Sequence, residues 1–191
     1  MSWRRETAPK ELLSLADAAA ESCRAAARYF REPSEPAAVS TKSRSRALLD
    51  AVAALKAVLK ARPASPERED WLAVSKSLAE LGESAGRAVA QAKLYEVSRQ
   101  PRLIAMAQAL KEAAEELAAA LRRGLSAERL ALAKRLASSA VEAARRARGD
   151  SLAGAGVVEG LKDQEIVRRL HEAAGAVHDA ADRLAEVLSV R

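Results

Sequence analysis

The sequence predicts an all-α fold, an antiparallel six-helix bundle. Three observations carry this. Alanine fills 47 of 191 positions while aromatic residues make up 3%, a composition that suits close-packed helices and not strands, which favour aromatic and β-branched side chains. Apolar residues recur at alternating spacings of three and four along most of the chain, the period of one helix face. The 6 prolines fall at the edges of those periodic stretches, where a helix starts or stops. The length suffices for one domain with a real core, spanning 1–191 with pseudo-repeats over 8–98 and 101–190.

The elements follow from the punctuation. Thr7 with Pro9 opens a helix to about Arg31, with Leu12, Ala16, Ala19, Cys23, Ala26 and Phe30 on one stripe. Cys23 sits in that stripe and reads as core filler, not as a nucleophile. Pro33 and Pro36 break the chain before a second helix, from about Val39 to Arg62, with Leu48, Val52, Leu55 and Leu59 on one face. Ser65-Pro66-Glu67 starts a third helix: Ser65 caps, Pro66 suits the first helical position, and the acids Glu67, Glu69 and Asp70 match the positive end of the dipole. This helix runs to about Ser98. Its seam is Trp71, Val74, Leu78, Leu81, Ala85, Ala88, Ala92 and Tyr95.

Pro101 opens a fourth helix with Leu103, Ala107, Leu110, Ala114, Leu117 and Leu121 inward, and Gly124 lies just past its end. Ser126 caps a fifth, running to about Arg148, with Leu132, Leu136, Ser139 and Ala143 inward. Residues 149–160 hold Gly149, Gly154, Gly156 and Gly160 and read as a loop. Asp163 caps the last helix, whose stripe is Ile166, Leu170, Ala173, Val177, Ala180, Leu184 and Val187.

Charge constrains partners weakly. Thirty-two Lys and Arg against 26 Asp and Glu give +6, a mild excess on a chain rich in both signs. It permits an acidic partner, an anion or a membrane surface without requiring one. The basic residues are uneven. The second helix carries Lys42, Arg44, Arg46, Lys56, Lys60 and Arg62 against Asp50 alone; residues 122–148 carry eight basic residues against Glu128 and Glu142. The third and sixth helices are acidic. This alternation, and the similar starts of helices three and six (Glu69-Asp70-Trp71-Leu72 over Gln164-Glu165-Ile166-Val167), suggest two three-helix units. A lone cysteine fits a reducing compartment. Met1-Ser2-Trp3-Arg4-Arg5 lacks the apolar stretch of a signal peptide. No apolar run is long enough to span a bilayer.

No catalytic motif stands out: there is no Gly-rich phosphate loop, Gly-x-Ser-x-Gly, His-Glu-x-x-His or Cys-x-x-Cys, so no catalytic residue is assigned. Glu80 and Glu83 stand three apart on the third helix, with Glu96 further on. His171 and His178 share a face of the last helix near Asp179 and Asp182. Carboxylates and imidazoles at such spacings hold a metal when facing helices complete the set; alone they are solvated faces. The clusters Lys42-x-Arg44-x-Arg46 and Arg145-Arg146-x-Arg148 can meet an anion, a lipid head group or an acidic partner.

Pro66-Glu67-Arg68-Glu69-Asp70-Trp71, running on through Leu78-Ala79-Glu80-Leu81-Gly82-Glu83, resembles the third helix of the PhoU-like proteins, and Val177-His178-Asp179-Ala180-Ala181 is similar to their last helix. The likeness covers essentially the whole chain. It implies two three-helix repeats, with acidic motifs that hold metal clusters in many members. It also implies a role as accessory or regulator of inorganic phosphate transport, without enzymatic activity. On this alignment Glu80, Glu83, His178 and Asp179 are the candidate metal ligands. Yet Arg44 and Leu48, Ser139 or Val141, and Gly175 stand where further acids belong. Arginine there repels a cation, so the resemblance implies a degenerate site: no cofactor is expected, and Fe or Zn is the divalent metal to test. The expected partners are a phosphate transporter or regulatory protein, an anionic membrane surface, or a second copy of the chain. The expected location is cytoplasmic, peripheral to the inner face of the membrane. Two other classes compete. One is a basic bundle binding nucleic acid non-specifically, disfavoured by the acidic helices. The other is a metal- or nucleotide-using bundle enzyme resembling cobalamin adenosyltransferases, for which no phosphate-gripping motif is present.

Overall fold

The computed structural model describes residues 8–97, 99–154 and 157–189. They form six helices: α1 (Lys10–Arg31), α2 (Glu35–Ala61), α3 (Pro66–Leu94), α4 (Pro101–Arg123), α5 (Ala127–Gly154) and α6 (Val157–Ser189). Among the described residues there is no strand, and no helix is long and apolar enough to cross a membrane.

Side-chain pairs fix the helix directions. Along α1 and α4, Asp17 meets Arg122, Arg24 meets Glu115 at 2.7 Å and Arg31 meets Gln108 at 3.1 Å. Each seven-residue step up α1 is a seven-residue step down α4, so the two run antiparallel in register. Gln91, late in α3, meets Glu165, early in α6, at 2.8 Å, so that pair is antiparallel too. Lys134–Asp182 at 2.6 Å and Ser138–His178 at 3.3 Å order α5 against α6 in the same way. α1 packs on α2, α3 and α4; α6 packs on α3, α5 and α4. α2 and α5 are peripheral. Only Ala37, Thr41, Leu48, Leu55 and Leu59 of α2 are buried.

The inward stripes of α1, α4 and α6 are buried as their spacing predicts. Val52 and Tyr95 are half-buried at the edge of the core. α5 is rotated from its predicted face. Leu130, Ala133, Ala137 and Ala140 are buried, whereas Leu132, Leu136 and Ala143 are half-buried and Ser139 is exposed. Three of the four buried residues are alanines, small side chains that permit close helix approach, while Leu132 and Leu136 take the flanks.

Four expected boundaries change. α2 begins at Glu35, not Val39, because Ser34 accepts from the Ala37 N–H at 3.4 Å and Pro36 falls in the first turn, where a missing N–H leaves no helical bond unmade. α3 ends at Leu94, short of the expected end near Ser98, a residue outside those described. The Val97 N–H donates to the Ala92 carbonyl at 2.9 Å and Glu96 takes φ 53°, a closure that usually falls to glycine. The predicted loop at 149–160 is mostly helical, since α5 continues through Gly149 to Gly154; a helical glycine costs only about 1 kcal/mol against alanine. Gly156 lies outside the described residues, as does Thr7. Asp163 lies inside α6 and caps nothing. It is buried against the start of α4, paired with Arg102 and accepting from Gln100 Nε2 at 3.0 Å. The predicted starts at Ser65, whose side chain accepts from the Arg68 N–H at 3.2 Å, and at Pro101 stand, as does the stop at Gly124, φ 95°.

One contact shapes the surface. Gly82 and Gly86, four apart on α3, form a notch for α2. A Cβ on Gly82 would come within 2.7 Å of Leu48 Cδ2, and one on Gly86 within 2.5 Å of Ser45 Oγ. The two helices therefore touch at this point.

Candidate functional site

Two adjoining grooves border the α2–α3 contact. The first, of about 770 Å³, runs between α2 and α3. Val39 and Leu49 line it and are exposed, a costly arrangement for two aliphatic side chains in water. Lys42, Arg87 and Lys93 stand around it, with Glu35 and Glu83. Lys93 pairs with Glu35 at 2.7 Å.

The second groove, of about 700 Å³, lies where α2, α3 and α6 meet. Its walls carry Lys56 from α2, Lys76 and Glu80 from α3, and Arg169 and Glu172 from α6. Glu83 and Arg87 border both grooves and pair at 2.8 Å. This ion pair is the ridge between them. On the α6 side, Arg168 holds Glu165 and Glu172, and Arg169 reaches Glu172 at 3.1 Å and Glu165 at 3.3 Å. Hydrogen bonds from Arg168 and then from Gln91 hold the Glu165 carboxyl down at about 2. α6 thus presents a fixed, internally neutralised lattice of charge.

The candidate metal ligands divide between two places. Glu80 and Glu83 line the second groove; His178 lies against Ser138 of α5 and Asp179 is exposed. Among the described residues no three His, Cys, Asp or Glu side chains converge as a metal would need. Glu96 is committed to closing α3, and Asp182 to Lys134. His171 is half-buried on α6. The basic clusters are also dispersed. Lys42 borders the first groove, Arg44 sits 3.8 Å from Glu21 of α1, and Arg46 is exposed. Arg145 is exposed and Arg146 reaches Glu142 at 3.4 Å; the Arg148 side chain lies outside the described residues. Cys23 is buried, and desolvation pushes its thiol up to about 12, so it is chemically inert at neutral pH.

Val39, Leu49, Lys76, Ser84, Arg87 and Arg169 carry the grooves without belonging to a sequence motif. The one signal for them is the Gly82-x-x-x-Gly86 spacing, which marks a close helix approach. No family model matches the chain, and no curated protein matches it.

Proposed function

We propose that this protein is a non-enzymatic, PhoU-like helical docking protein, an accessory or regulator of inorganic phosphate transport that acts by protein–protein or membrane-surface contact at the cytoplasmic face. The α2–α3 groove is the observation that carries this reading. Its exposed Val39 and Leu49, edged by Lys42 and Arg87, suit the apolar face of a partner helix with acidic flanks. The helix pairing supports construction from two three-helix units. α1 against α4 and α3 against α6 are the contacts between halves, and α2 and α5 lie outside them, as a two-fold relation between units requires.

The test is capture of partners from the organism's own extract in low and high phosphate, with identification by mass spectrometry. A phosphate transporter or regulatory protein is expected on the wild-type chain. Val39→Asp with Leu49→Asp should remove it, because a charge in the groove repels an apolar helix face. Recovery of no such partner in either condition, or equal recovery on the variant, refutes the reading. The outward basic side chains of α2 and α5 support a second reading, non-specific nucleic-acid binding, which predicts a steep loss of affinity with salt.

A further inference from the structure

We propose that the groove where α2, α3 and α6 meet is a binding site for a doubly charged oxyanion of the phosphate class, free or carried on a larger molecule. This goes beyond the docking reading and does not depend on it.

Two donors there lack an acceptor. Arg169 Nε is shut off from solvent without a hydrogen-bond partner. Ser84 is 3% exposed, lines the groove, and makes no hydrogen bond among the described residues. Of the two, only Arg169 Nε is sealed from water, and leaving it unmade is costly. Both donors lower the free energy of any ligand that brings acceptors and no donors, which is what a phosphate oxygen offers.

The charges agree once pairs are removed. Glu83 is held by Arg87, and Glu172 by Arg168 and Arg169. What remains is Lys56 and Lys76, neither with an ion-pair partner among the described residues, against Glu80. Two free ammonium groups from different helices, lining the same groove as these donors, suit a compact dianion better than a carboxylate or a cation. The volume of about 700 Å³ leaves room for a group attached to the phosphate.

The test is titration of the folded full chain with inorganic phosphate and, separately, with phosphoserine, by calorimetry at constant ionic strength, with chloride as the control. Saturable binding of either anion and none of chloride is expected. Lys56→Gln and Lys76→Gln remove exposed charges without touching the core, and each should weaken binding about tenfold. Ser84→Ala should weaken it as well. Preference for phosphoserine assigns the groove to a phosphate on a larger molecule, and preference for inorganic phosphate to the free ion. No saturable binding of either anion to a chain whose helical circular dichroism is intact overturns the proposal. Binding indifferent to both lysine variants overturns it too.

Discussion

The notch on α3 makes two chemically identical substitutions diverge. Gly82→Ala and Gly175→Ala each replace a mid-helix glycine by the best helix former, a gain of about 1 kcal/mol in each case. At Gly175 a Cβ meets nothing within 4 Å, so the gain is realised in full. At Gly82 the same atom would lie 2.7 and 3.1 Å from the two Leu48 methyls and 3.3 Å from Ala19 Cα. Leu48 is fully buried and cannot swing aside into solvent. Ala19 Cα belongs to the α1 backbone and moves only with its helix. Overpacking of this kind costs about 1–3 kcal/mol, which cancels or exceeds the propensity gain. The expected result is that Gly175→Ala is more stable than wild type by about 0.5–1 kcal/mol, and that Gly82→Ala falls below Gly175→Ala by about 1–3 kcal/mol. Gly86→Ala provides an internal comparison. Its only close neighbour is the Ser45 hydroxyl, which bonds the Thr41 carbonyl at 3.1 Å and can rotate away, so this variant should fall between the other two. Urea unfolding followed by circular dichroism measures all three, with a constant slope guarding against a change of unfolded state. If Gly82→Ala matches or exceeds Gly175→Ala, α2 does not seat in the notch, and the grooves that depend on its approach are not formed as described.

Three further outcomes follow from single residues. Glu96 pays the left-handed strain that glycine avoids, so Glu96→Gly should raise stability by about 0.5–1 kcal/mol in urea unfolding, and a loss would mean that α3 does not close there. The Glu165 carboxyl titrates at about 2 folded against 4.5 in its ordinary state. Its contribution is therefore complete above pH 4.5 and lost as pH falls toward 2, so the urea midpoints of wild type and Glu165→Gln should converge over that range; a gap independent of pH would remove the assigned role of Arg168 and Gln91. Cys23 should resist a thiol reagent in the native chain and react once per chain after unfolding, and native reaction at the unfolded rate would contradict its burial.

Much of the fold was legible because helix stripes and stop signals are local. Leu103 through Leu121 and Ile166 through Val187 are buried in the order their spacing predicts, and Pro101 and Gly124 bound α4 as their backbone preferences require. The errors arose where a distant residue decided a local outcome. Asp163 looks like a cap from its neighbours, but Arg102 and Gln100, some sixty positions away, draw it inward. Glycines at 149 and 154 look like a loop, yet the helical penalty per glycine is small beside the packing of the rest of α5. In α5 the leucines looked like the core because they are larger. The buried face is instead Leu130 with Ala133, Ala137 and Ala140, and Leu132 and Leu136 sit at its edge.

The site was less legible, for a reason rooted in the same physics. A stripe advertises itself by repetition, whereas a groove is the place where two helices stop touching. Lys56, Lys76, Ser84 and Arg169 come from three helices, and nothing in their spacing relates them. Of the residues that looked chemical by spacing, Glu83 is occupied by Arg87 four positions on and Asp182 by Lys134 of α5, while the α6 acids at the groove, Glu165 and Glu172, are held by Arg168 and Arg169. That occupation gives the grooves their character: with its carboxylates neutralised locally, the α2–α3–α6 surface is left with unpaired lysines and unmade donors. Arg44 and Gly175, standing where further acids belong, already speak against a cation in the sequence, and the charge remaining in space favours an anion.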